Sequence, residues 1–176
     1  MQMPAWKDIA HFMYGDVHND RGFWYSHPLH EIAGLTEEQL FWVPDPKCLC
    51  MLWHVGHIAH RERTHIGKFL EGLEGMVIPP QYEVFGTEWC SVHELRGTVG
   101  AISDVFEWVE EVRKQSTEFI ASLAEEDFLK VLPTSDFGEG FSIAHWLFIT
   151  VSHGAIHIGR IQMLRAMLEG KYDRTC

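Results

Sequence analysis

The sequence predicts an all-α protein, an antiparallel four-helix bundle with short connecting helices. Two observations carry this: long stretches repeat apolar residues at three- and four-residue spacing, and no run alternates with the period of two that a strand needs. A third is that each stretch is bounded by proline, glycine or a capping serine, so the chain must turn back on itself between stretches. Four such helices with three substantial connections bury their apolar stripes only against one another.

The elements follow in order. Residues 4 to 35 carry helix-compatible aromatics at Trp6, Phe12, Phe23 and Trp24, but Gly15, Gly22 and Pro28 interrupt them, so the first helix is expected to be broken. The acidic segment 36–41, "TEEQLF", is a short helix leading into a proline-containing loop. A second long helix is expected from about Cys48 to Leu70, entered after "VPDP" and ending before "EGLEG". Residues 75–90, "GMVIPPQYEVFGTEWC", form a long connection with room for local structure.

The third helix is expected to run unbroken through 91–123, since Leu95, Val99, Ile102, Phe106, Val109, Ser116, Phe119, Ile120 and Leu123 follow helical spacing. Ser91 followed by Glu94 gives it a capping-box start. A second acidic segment, 124–129, precedes another loop, and the last helix is expected from Ser142 to Leu168. The two halves of the chain thus share an order of long helix, short helix, loop and long helix.

Length and charge limit the function. A chain of 176 residues suits one domain, 1–176, able to bury roughly 70% of its unfolded surface. A formal charge of −11 offers no basic field for a phosphate backbone, which excludes nucleic acid and anionic membrane surfaces as partners. The amino-terminal stretch has no basic start with an apolar core, and no segment approaches the apolar length of a membrane span, so a cytoplasmic protein is expected. Cys48, Cys50, Cys90 and Cys176 form no metal or disulfide pattern and are expected to be free thiols.

The chemistry lies in the histidines. His153 and His157 stand one turn apart, so on a helix their rings share a face with about 6 Å between Cβ atoms and can address one ion. On the second helix, His57 follows Trp53 by one turn and must face the same core. Three imidazoles from two helices leave coordination positions open for water or substrate.

The other histidines are expected elsewhere. His54 and His65 are expected on the outer face of the second helix, and His60 close to His57 as a candidate fourth ligand. His11, His18, His27, His30 and His93 are expected on the surface or as caps, and His145 in solvent or behind a ligand. Trp53, Trp146 and Trp42 are read as core, with Trp53 kept as a candidate substrate contact. Glu110 and Glu111 are adjacent, hence about 100° apart on a helix, and make no acid–base pair. No nucleophile elbow, phosphate loop, dinucleotide fingerprint, EF-hand or paired E-x-x-H motif is present.

Residues 34–62, "GLTEEQLFWVPDPKCLCMLWHVGHIAHRE", followed about ninety residues later by "SHGAIHIGRIQMLRAML" (152–168), resemble the DinB-like or YfiT-like superfamily. The resemblance spans most of the chain, with these two blocks as its motifs. It implies a four-helix bundle of DinB/YfiT-like type whose metal is held by one histidine of the second helix and two of the last, here His57, His153 and His157. Many relatives carry a glutamine after the glycine of the last motif; Arg160 stands there in this chain, a candidate contact for an anionic substrate group.

Relatives include thiol-dependent S-transferases, a maleylpyruvate isomerase and the helical domain of iron-dependent sulfoxide synthases. The resemblance therefore implies an enzyme acting on a small molecule with a divalent transition metal (Zn, Ni or Fe) and a low-molecular-weight thiol as co-substrate. The alternatives are a non-haem iron enzyme using oxygen and a non-catalytic metal-stabilised bundle closed by a fourth ligand. A homodimer, formed on the third helix, is also implied.

Overall fold

The computed structural model describes residues 5–14, 27–70, 77–131 and 140–171. Gly15, Gly22, Phe23, Trp24, His18, Cys176 and the side chain of His11 lie outside the described residues. The architecture is all-α, and the β pairing among the described residues is an isolated bridge between Val131 and Ser142.

Helix α1 spans Trp6–Tyr14. Pro28, expected to break helix, instead opens the single turn α2 (Pro28–Glu31), where a first-turn proline loses no hydrogen bond. The His27 ring caps that turn, Nδ1 accepting from the Leu29 N–H at 3.3 Å. Helix α3 (Glu37–Leu40) is held by a reciprocal capping box between Thr36 and Gln39.

The second long helix has two parts. Residues Met51–Glu62 form α4, and Arg63–Leu70 continue it as a π-helix, whose turn is wider than that of an α-helix. The 75–90 connection contains a 3₁₀ helix over Pro80–Gly86 that lies against α4. Residues 91–123 are two helices, α5 (Val92–Thr98) and α6 (Ile102–Ser122), where a single helix is expected. Gly100 separates them at φ +72°, the left-handed geometry that ends helices. Ser91 caps α5 as expected, accepting from the Glu94 N–H at 3.1 Å.

Glu125–Leu129 form a 3₁₀ turn, and α7 runs over Ile143–Leu168 from the Ser142 cap. Helix α4 packs on both α6 and α7, and α1 contacts the same two helices. Every residue of α4 from Met51 to His60 is buried. It is a central helix with no solvent face over that stretch.

Its last residue carries a charge inward. Glu62, 1% exposed, accepts from Arg113 of α6 at 2.8 and 3.1 Å, so the carboxylate is neutralised where water cannot reach it. No helix among the described residues is long and apolar enough to cross a membrane.

Candidate metal centre

The packing of α4 on α7 brings residues about a hundred positions apart in sequence face to face. His57 enters from α4, and His153 and His157 from successive turns of α7. His153 Nε2 lies 3.5 Å from His57 Nε2 and 3.3 Å from His157 Nε2. One ligand atom from each ring falls within 4.8 Å of the others.

Each ring is held from behind, except one. The Nδ1–H of His57 donates to the Phe85 carbonyl at 2.6 Å, which fixes the tautomer and leaves the Nε2 lone pair facing the group. Trp53 lies beneath His57, ring centroids 4.4 Å apart and nearly parallel, so the indole buttresses the imidazole. At 2% exposure, Trp53 belongs to the core. His157 Nδ1 lies 2.9 Å from His54 Nδ1; when His157 donates, its Nε2 keeps a lone pair for the group. His153 Nδ1 has no hydrogen-bond partner among the described residues.

Phe85 reaches its position because position 56 is glycine. A Cβ there would come within 2.4 Å of the Phe85 ring. The 3₁₀ turn therefore sits directly on α4, and its carbonyl can meet His57.

Burial keeps these imidazoles neutral. Desolvation pushes His54, His57 and His157 down to about 3, helped for His54 and His157 by the Arg160 charge and for His57 and His157 by Arg61. His153 is lowered for the same reason. A neutral imidazole presents one ring-nitrogen lone pair at neutral pH, so the three rings can together offer three donor atoms to a cation among them.

The spacing fits such a cation. Tetrahedral coordination with metal–nitrogen bonds near 2.0–2.1 Å places ligand nitrogens about 3.3 Å apart, close to the 3.3 and 3.5 Å observed. The donor set therefore suits one divalent ion of imidazole preference.

The remaining histidines fall differently from the sequence expectation. His54 and His65, expected outside, are 4% and 5% exposed, because α4 is buried all round and the π turn carries His65 toward α7, where its Nδ1 lies 3.0 Å from Thr150 Oγ1. His60 turns away from the group toward Glu83, Nε2 to Oε2 3.4 Å, with its ring against Gly86. His145 is exposed, its Nδ1 accepting from the Ser142 N–H at 3.2 Å. His30 and His93 are exposed as expected, whereas His27 is a cap that is also buried. The place of His54 behind His157 is a functional feature that helical periodicity missed.

Cys50 and Cys90 are free thiols pushed by burial up to about 11 and about 12, so neither is a thiolate at neutral pH. Arg160 is exposed on α7, one turn beyond His157.

An all-helical protein with three convergent imidazoles on two packed helices is the class that fold and site define. The chain belongs to the DinB superfamily, whose family model matches residues 29–161 and so takes in α4 and all three histidines. No curated protein and no solved structure matches the chain.

Proposed function

We propose that the protein is a divalent-metal-dependent enzyme acting on a small molecule, with thiol-dependent S-transfer or isomerisation as its specific chemistry. The observation that carries this is the set of three neutral Nε2 atoms with no fourth protein ligand among the described residues. His57, His153 and His157 would hold the ion. A bound divalent ion supplies Lewis acidity, lowering the pKa of a thiol or water that takes an open position.

The chain's own residues do the rest. The Phe85 carbonyl and His54 orient two of the rings, while Trp53 and the surrounding core exclude bulk water. His153, only partly buried, marks the side from which a substrate enters. Arg61 and Arg160 place positive charge near the rings, which favours an anionic reactant there.

The rival readings have less support. A closed, non-catalytic site needs a fourth ligand, and the candidate His60 is engaged with Glu83. Oxygen chemistry on iron most often uses two histidines and a carboxylate, and this group contains no carboxylate. Self-association belongs to the same proposal, but on α7, which exposes Phe148 and Ile156, since α6 exposes no large apolar side chain among the described residues.

Elemental analysis of untagged protein tests the reading, beside a His57→Ala, His153→Ala double variant made identically. The expected result is about one ion per chain in the natural protein and almost none in the variant, as three ligands acting together require. Equal, negligible metal in both after anaerobic reloading overturns it.

A further inference from the structure

A second concavity opens on the far side of His54. Its cavity volume is about 450 Å³, and Lys47, His54, Trp89, Arg160, Met163 and Met167 are among the residues that line it. That is the size of a small-molecule site. None of the three convergent histidines lines it, yet His54 does, and the same ring meets His157 at 2.9 Å. The cleft and the metal centre therefore share a wall one imidazole thick.

Its chemistry has two halves. Lys47 and Arg160 are exposed cations, and neither side chain makes an ion pair with a carboxylate among the described residues. No Asp or Glu among the described residues lines the cleft. In a chain of net charge −11 that leaves two cations without a carboxylate partner at one place, where most other surface would repel an anion. Beside them, Trp89 and Met163 are 52% and 43% exposed, and Leu164 is a buried apolar lining residue. A guanidinium recognises a carboxylate through two parallel N–H donors, while an indole face and thioethers accept an apolar body of variable shape.

We propose that this cleft binds a small organic carboxylate with an apolar body, the acid group on Arg160 and Lys47 and the body against Trp89 and Met163. His54 stands between this cleft and the metal centre, so the binding does not need the metal. The site gives Arg160 a function distinct from metal coordination.

Calorimetric titration with 4-phenylbutanoate and its neutral amide, on metal-loaded and chelator-stripped protein, tests this. The acid is expected to bind at least tenfold more tightly than the amide in both forms. A Lys47→Gln, Arg160→Gln double variant is expected to lose at least tenfold in affinity for the acid and to keep the far-ultraviolet dichroism of the natural protein, both positions being exposed. The His57→Ala, His153→Ala variant is expected to bind the acid normally. Equal binding of acid and amide, no binding of either, or unchanged affinity in the Lys47, Arg160 double variant overturns the proposal. Selective acid binding by a protein that takes up no metal would uphold the cleft while the metal-enzyme reading failed, so the two are separable.

Discussion

At the scale of single residues, two imidazoles share one proton behind the metal centre. His54 Nδ1 and His157 Nδ1 are 2.9 Å apart, so one must donate and the other accept. The arrangement in which His157 donates also frees its Nε2 to face His57 and His153. Partners of this kind orient a metal ligand and raise its basicity, and losing one costs about 10–100-fold in metal affinity. We expect His54→Ala to weaken binding of Zn by that factor in competition with a chelator, with its ion stoichiometry at saturation unchanged. An affinity equal to that of the natural protein would show that the His54 contact does not act on the site. Sequence alone puts His54 on the outer face of the second helix, and so misses it as a partner of His157. Helical periodicity assigns an outer face to every helix, and α4 has none from Met51 to His60.

At the scale of elements, the site depends on a close approach between α4 and the 3₁₀ turn over Pro80–Gly86. Gly56→Ala would put a methyl group 2.4 Å from the rigid Phe85 ring, so the turn must move, and with it the carbonyl that accepts from His57. Overpacking of this sort costs about 1–3 kcal/mol. The expected outcome is a lower denaturation midpoint together with weaker metal binding; loss of stability alone would mean that the Phe85 carbonyl does not position His57. The helices bearing the triad were readable in advance because His57 sits in a long apolar run entered after a proline-containing loop, and His153 and His157 in another that starts at the Ser142 cap. The turn's contribution was not readable, since a backbone carbonyl has no signature in sequence. The break at Gly100 was hidden for a related reason: Leu95, Val99 and Ile102 keep helical spacing across it, so only the local geometry reveals the stop.

At the scale of the whole molecule, the buried histidines make the metal-free protein sensitive to acid. His54, His57 and His157 are pushed down to about 3 and His65 to about 4 from an ordinary 6.5, chiefly by burial. Above the ordinary value both folded and unfolded chains hold these rings neutral, and they contribute no slope. Below it the unfolded chain takes up protons that the folded one refuses, so stability falls as the pH drops from about 6.5 toward the folded values. The thermal midpoint of chelator-treated protein should be flat between pH 8 and 7 and fall steadily by pH 5. A midpoint unchanged at pH 5 would mean that the rings are not buried in the neutral form.

The ligands of the candidate centre also have a long separation along the chain, His57 and His153 being 96 residues apart. In the order of events this matters, because the donor set exists only once α7 has docked on α4, and closing so long a loop is among the later and entropically costlier steps of folding. The ion would then join a chain that is already largely assembled. It would act as a latch on the finished molecule, slowing its opening far more than it hastens its formation.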